Sequence, residues 1–197
     1  MRNLVRAPSG CVLIDADYSQ VEARITAYAS RCSAYLNDFQ SCDECGYFES
    51  SDDLDAHLRQ SGHRLKDIHT AVATRIMGLP LDKITKEMRD QAKGFTHGVN
   101  YGRGAISVSL TYGIPIEKAN GIIEQYFAAY PEIRSYHRQV WDWLDEYEAV
   151  LNVFGRTRHF PQWPRLRWKA RQGDKPTRKQ ISHLHREAIA MFPSSSS

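Results

Sequence analysis

Cys42-x2-Cys45-x11-His57-x5-His63 is the pattern that leaves this chain the least conformational freedom. Two thiolates and two imidazoles form the donor set of a closed, tetrahedral zinc site, which is a structural rather than a catalytic arrangement. The apolar residues fit the same unit. Phe48, Leu54 and His57 fall at the spacing of the small core of a ββα zinc finger, with a Cys-to-His loop one residue short of the usual ~12. Four unrelated surface side chains would explain neither spacing. A DNA-reading finger presents the start and middle of its helix to the major groove. Here that stretch is Ser51-Asp52-Asp53-Leu54-Asp55-Ala56, and phosphates would repel its three carboxylates. The finger is therefore expected to be a folding or docking element. Four cysteines in 197 residues are too few for a disulfide framework and suit metal binding in a reducing compartment.

The remaining composition allows an ordinary core, with 42% hydrophobic and 25% charged residues, and excludes wholesale disorder. No apolar run approaches the roughly 18 residues of a membrane helix, so no membrane partner is expected. Residues 1–11 carry no apolar secretory segment. Charge is unevenly spread. Residues 1–64 carry a net −4 and residues 65–150 a net −1, whereas residues 151–197 hold ten Lys/Arg against two Asp/Glu, a net +8. Arg156, Arg158, Arg165, Arg167, Lys169 and Arg171 alternate with Phe154, Phe160, Trp163 and Trp168. Cations interleaved with aromatics suit a nucleic acid better than a plain solvated tail does.

The pattern along the chain is mostly helical. Residues 10–18 read as a strand built on Cys11-Val-Leu-Ile after a Pro-Ser-Gly turn. Ser19 is a plausible N-cap for a helix to Ser30. Further helices are expected over 65–78, from Thr85 toward Tyr101, from Pro115 to Tyr130, over 132–149 and over 181–191, with a hairpin around Gly155.

Arg89-x3-Lys93-x3-His97-x3-Tyr101 advances about 400° per step on an α-helix, so the four side chains form one slanted stripe. Two cations followed by two rings suit phosphates at one end and a base or sugar at the other; a solvated basic face is the competing reading. Gly94 and Gly98 beside the stripe leave room for something to approach. At the end of the first strand, a carboxylate could hold Mg²⁺ or simply cap the helix. Spacing alone does not choose between Asp15 and Asp17.

These residues also carry a resemblance. Asp17-Tyr-Ser-Gln-Val-Glu-Ala-Arg24 resembles motif A of the family A DNA polymerases, the bacterial polymerase I and phage replicative group. Arg89 through Gly102 resembles their motif B. Asp67-Ile-His-Thr70, Tyr126-Phe-x2-Tyr-Pro131 and Phe154-Gly-Arg-Thr-Arg158 resemble further segments in the family's order. The likeness spans nearly the whole chain, apart from the zinc insert and residues 162–180.

The resemblance implies an α+β, mostly helical fold: part of the palm and the fingers of a right-hand polymerase, with the zinc finger inserted. Residues 1–40 would be the palm edge, 41–64 the finger, 65–150 the fingers domain, and 151–197 a basic return to the palm. Asp17 would be one of two carboxylates holding the Mg²⁺ pair, and motif A selects it over Asp15. Glu22 would be the gate against a ribose 2′-hydroxyl, with Tyr18 and Gln20 beside it at the substrate. Arg89 and Lys93 would hold the dNTP triphosphate, Lys93 catalytically, while His97 and Tyr101 face sugar and base. Arg156, Arg158 and Arg186 would contact primer-template DNA. His97 stands where the family usually has Phe or Tyr. Arg186-Glu-Ala-Ile-Ala-Met-Phe-Pro193 resembles the palm helix that precedes the second catalytic aspartate, and that aspartate does not follow here. Activity is therefore expected to need a second polypeptide, unless the sequence is a truncated piece. The implied setting is the cytoplasm of a bacterial or phage-infected cell. The rival readings are a non-catalytic, zinc-containing nucleic-acid-binding module and a finger-based protein-interaction domain.

Overall fold

Helices make up most of the computed structural model, which describes residues 6–14, 18, 20–42 and 44–196, without the side chains of residues 175, 176, 192 and 194–196. Ten α-helices, a 3-10 turn at Leu81–Lys83 and two short antiparallel hairpins are present among the described residues. Helices α1 (Val21–Ser30) and α2 (Ser33–Phe39) precede a ββα unit: β1 (Ser41–Cys42), β2 (Gly46–Tyr47) and α3 (Ser51–Ser61). Then come α4 (Ile68–Met77), α5 (Lys86–Asn100), α6 (Ala105–Tyr112), α7 (Ile116–Ala129) and α8 (Pro131–Tyr147). The hairpin β3 (Ala149–Leu151) and β4 (Thr157–His159) turns at Gly155, whose φ of 74° is easily reached without a Cβ. Helices α9 (Trp163–Arg171) and α10 (Lys175–Ser196) complete the order.

Two apolar cores support this arrangement. Tyr35, Ile68, Val72, Phe95, Val99, Tyr126 and Ile133 belong to the first, which joins α1, α2 and α4–α7 with the first turn of α8. Its polar centre is satisfied: Tyr126 Oη donates to Asn100 Oδ1 at 2.6 Å, and Asn100 Nδ2 donates to Tyr35 Oη at 3.3 Å. The second core gathers Val140, Leu144, Val150, Phe160, Trp163 and Ile189 from α8, the β3–β4 hairpin, α9 and α10. Helix α1 packs against both α8 and α10, and so lies where the two cores meet.

The local signals explain most boundaries. Thr85 caps α5 by accepting from the Met88 amide at 3.3 Å. Ser50 caps α3 through the Asp52 and Asp53 amides. Helix α4 begins at Ile68 rather than at residue 65, because Asp67 is its cap and Leu65 instead bridges Cys42. The expected strand over 10–18 is not formed at Cys11–Ile14: Val12, Leu13 and Ile14 are 83%, 59% and 86% exposed. A strand needs a neighbour to take its backbone hydrogen bonds, and among the described residues none lies beside this run. Asp15, Asp17 and Ser19 lie outside the described residues, so the expected cap at Ser19 is not described; Gln20, at φ 57°, occupies the position before α1.

Candidate functional site

The cap of α5 fixes the helix phase, and the four-residue spacing then turns Arg89, Lys93, His97 and Tyr101 toward one cleft. Its volume is about 960 Å³, and Tyr18, Gln20, Glu22 and His69 also line it. The expected stripe and the motif A residues on α1 therefore face the same space. Gly94 lines the cleft; a Cβ there would lie 3.0 Å from Tyr112 Oη, and one at Gly98 would lie 2.8 Å from Arg103 Nε.

One end of the cleft is organised by Asp67. As the cap of α4 it accepts from the Thr70 amide at 3.3 Å and the Thr70 hydroxyl at 2.8 Å. The same carboxylate takes a fork from Arg89, Nε at 2.5 Å and a terminal nitrogen at 3.3 Å. Gln20 bridges from α1, donating to Asp67 Oδ1 at 3.1 Å and accepting from the Ile68 amide at 3.4 Å. Burial works to raise the Asp67 carboxyl pKa, but the bonds from Arg89 and Thr70 prevail and hold it below the usual carboxylate range. Arg89 also reaches Asp90 at 3.0 Å. Lys93 is exposed, which leaves its ammonium accessible to an anion.

The other end is held by Glu22, whose carboxylate meets His97 Nδ1 at 3.0 Å and accepts from the Tyr101 hydroxyl. The His97 and Tyr101 rings lie 4.7 Å apart, tilted by 42°. Burial, and then the bond to Glu22, push the Tyr101 hydroxyl pKa up, so it stays a donor. Cations thus stand at one end of the cleft, and a carboxylate with two rings at the other.

His69 was not singled out by sequence reasoning. It is 7% exposed, lines the cleft, and its Nδ1 finds no hydrogen-bond partner among the described residues. Burial lowers its pKa to about 4, against the pull of Asp67 and helped by Arg89, Lys93 and His97. It is therefore a neutral imidazole beside three basic side chains. The Asp67-x-His69 spacing at the first turn of a helix was the available signal, although a histidine in an apolar helix ordinarily reads as core.

The cleft does not assemble a magnesium site from its described residues. Glu22 is paired with His97, and Asp67 and Asp90 are paired with Arg89. Asp17, the residue expected to ligate Mg²⁺, lies outside the described residues.

Cys42, Cys45, His57 and His63 do converge. Their ligand atoms lie within 4.8 Å of one another, the only such group of three or more found among the described residues. His63 Nδ1 is 3.2 Å from His57 Nε2, 3.3 Å from Cys45 Sγ and 3.7 Å from Cys42 Sγ. A tetrahedron with metal–nitrogen bonds of ~2.0 Å and metal–sulfur bonds of ~2.3 Å has edges of about 3.3–3.8 Å, close to the three separations from His63.

The expected DNA-contact residues lie on the basic return. Arg156 is exposed, Arg158 pairs with Glu187 at 3.0 Å, and Arg186 donates to Ser182 Oγ at 3.1 Å. Arg186 borders the Tyr101 end of the cleft: a Cβ on Gly102 would lie 3.4 Å from its Cγ. No helix among the described residues is long and apolar enough to cross a membrane.

The model of DNA polymerase family A matches residues 1–190. DNA polymerase I of Pseudomonas aeruginosa is 29% identical over 162 residues, 82% of this chain and 15% of that one. The Mycobacterium leprae enzyme of the same name is 31% identical over 150 residues, 76% and 14% of the two chains. The thermostable DNA polymerase I of Thermus aquaticus is 29% identical over 161 residues, 82% and 17%. Among solved structures, the POL domain of Pol1 from M. smegmatis in complex with DNA primer-template and dNTP superposes with a TM-score of 0.68 at 27% identity, over 90% of this chain and 25% of that one. The chain thus spans about one-sixth of the length of the curated relatives it matches.

Proposed function

The chain belongs to DNA polymerase family A, and on that premise we propose that its cleft is the dNTP-binding face of a template-directed DNA polymerase. The observation that carries the proposal is the shared cleft: Arg89, Lys93 and His97 of α5, with Tyr101 at its C-cap, face Glu22 of α1 across one space. Residues 65–150 act as fingers, residues 1–40 as a palm edge, and residues 151–197 as a basic return, with 41–64 inserted.

In this reading, Lys93 and Arg89 neutralise the triphosphate, and Lys93 stabilises the charge that develops as pyrophosphate leaves. Asp67 orients the Arg89 guanidinium, and Gln20 ties both to α1. His69, neutral, donates one N–H toward phosphate oxygens. Glu22 stands against a ribose 2′-hydroxyl, held by His97 and Tyr101, so the gate carboxylate is fixed by an imidazole where the family usually has a phenyl or phenol ring. Tyr101 stacks at the nascent pair, next to Tyr18. Arg156, Arg158 and Arg186 take primer-template phosphates. Asp17 is the Mg²⁺ ligand by motif, and zinc is the ion for the Cys/His centre.

Lys93→Ala is expected to weaken dGTP binding by about 10- to 100-fold, the equivalent of a charge-assisted hydrogen bond. Arg89→Ala is expected to act similarly. Calorimetric titration with dGTP and with a DNA duplex checks both variants. A second reading, a non-catalytic nucleic-acid-binding module, is favoured by the exposed Arg165, Trp168 and Arg171 at i, i+3 spacing on α9. Weakened duplex binding with unchanged dGTP binding would select it.

A further inference from the structure

We propose that the Cys42–Cys45–His57–His63 centre, loaded with zinc, is a clasp that positions Asp67 and thereby the Arg89 end of the cleft. The consequence for nucleotide affinity rests on the dNTP reading above; the clasp itself does not.

The metal ligands sit where the insertion leaves and rejoins the helical body. Cys42 lies on the outgoing strand, and His63 is four residues before Asp67. The two chain ends meet: Cys42 bridges Leu65, and the Lys66 amide donates to the Ser41 carbonyl at 2.8 Å. One ion bound to Cys42 and His63 holds the two ends of the loop together.

Beyond this junction the contacts run directly into the cleft. Lys66 Nζ meets Asp38 at 2.9 Å, anchoring the returning chain to α2. The next residue is Asp67, which receives Arg89 and Gln20. Between His63 and Asp67 there are only three residues, so the span is at most about 14 Å. A shift at the ligand is therefore poorly absorbed before it reaches the carboxylate.

The unit has little else to fold on. Leu54 is the one buried residue of α3, and the Phe48 ring meets His57, itself a ligand, at 5.0 Å. A core of this size does not offset the entropy of ordering a loop of this length, whereas metal binding supplies folding free energy directly. The outward surface of α3 carries Asp52, Asp53 and Asp55, all exposed, which disfavours a direct role on DNA. The Thr70 cap bonds to Asp67 involve none of the four metal ligands, so the expected effect of losing the clasp is a loosening rather than a collapse.

The test uses the full chain, zinc-loaded, beside Cys45→Ser and beside chelator-treated wild type. Metal analysis is expected to give one zinc per wild-type chain and none in Cys45→Ser. Without zinc, the Lys66 and Thr70 amides are expected to exchange about tenfold faster, and dGTP to bind about tenfold more weakly. Asp67→Asn, zinc-loaded, is expected to weaken dGTP binding too, and zinc removal in that variant to add little, because the two changes act through one carboxylate. Purified wild type without zinc overturns the clasp. So does zinc removal that leaves Lys66 and Thr70 exchange unchanged. Faster exchange at both amides in a chain that binds dGTP in no state upholds the clasp and rejects the nucleotide reading.

Discussion

Acidification from pH 7 to pH 4 is expected to bring the chain close to unfolding, chiefly through two buried histidines. His69 and His137 are 7% and 4% exposed. Burial lowers the pKa of each to about 4; at His69 the attraction of Asp67 opposes it, and at His137 a hydrogen bond to the Asn100 backbone does. In the unfolded chain each titrates near 6.5. Between about pH 6.5 and 4, the unfolded state therefore binds protons that the folded state does not. Stability is fully present above this window and falls as the pH drops through it. Each group contributes on the order of 2–4 kcal/mol across the window, and the pair rivals a typical total stability of about 5–15 kcal/mol. His185, stacked on Trp141 at 4.7 Å, is lowered by burial and adds in the same direction. Urea unfolding at pH 7, 5.5 and 4 measures the effect, in the Cys45→Ser background so that proton-driven metal release does not contribute. His137→Gln should flatten the pH dependence by one group's share, whatever it does to stability at pH 7. An unchanged slope would falsify the assignment.

These histidines show what a one-dimensional pattern carries. Helix α5 was legible because its signals agree: Thr85 at the cap, apolar Ala92, Phe95 and Val99 on the inner face, and cleft-lining side chains every fourth residue. The Cys/His centre was legible because ligand spacing is a local property. The β3–β4 hairpin was announced by Gly155. Helix α2, at seven residues, was too short for a periodic signal. Helix α6, Ala-Ile-Ser-Val-Ser-Leu-Thr-Tyr, is rich in β-branched residues and has no side-chain cap, so its helicity comes from packing on α7 rather than from propensity. Helix α9 is basic with a proline in its first turn, and its dense positive charge masks the helical period. Cys11–Ile14 failed in the opposite sense: a good strand pattern has no strand beside it among the described residues. Partner choice across the fold was not readable at all. That Asp67 would join Arg89 and Gln20, or that Glu22 would meet His97, depends on the crossing of α1, α4 and α5.

Asp38 is the sharpest instance of such long-range pairing, and its removal is expected to be the most destabilising single change outside the apolar cores. No motif points to it. It sits on α2 with its side chain 3% exposed, yet it joins three distant parts of the chain. Lys66 donates to Oδ1 at 2.9 Å from the junction before α4. Arg75 forks onto both oxygens from α4, with Nη2 at 2.9 Å from Oδ1. Tyr130 donates to Oδ2 at 3.3 Å from the α7–α8 corner. At Arg75, burial lowers the pKa, but the bonds to Asp38 and Tyr130 outweigh it and the net direction is upward. Asp38→Ala leaves two cations facing each other around an empty acceptor site, and breaking a buried pair from one side costs about 3–5 kcal/mol. Arg75 and Lys66 keep 33% and 30% of their side-chain surface, so water recovers part of that and the lower end, about 3 kcal/mol, is expected. For a chain of this size that corresponds to a melting temperature lower by about 6–12 °C. Asp38→Asn should lose less, because one oxygen still accepts. Asp38→Ala combined with Arg75→Met should recover part of the loss, since the orphaned guanidinium is then gone. Denaturant midpoints for the four proteins decide the matter. If the double variant is no more stable than Asp38→Ala, the loss is one of packing at α2, and the ion cluster is not what ties α2 to α4.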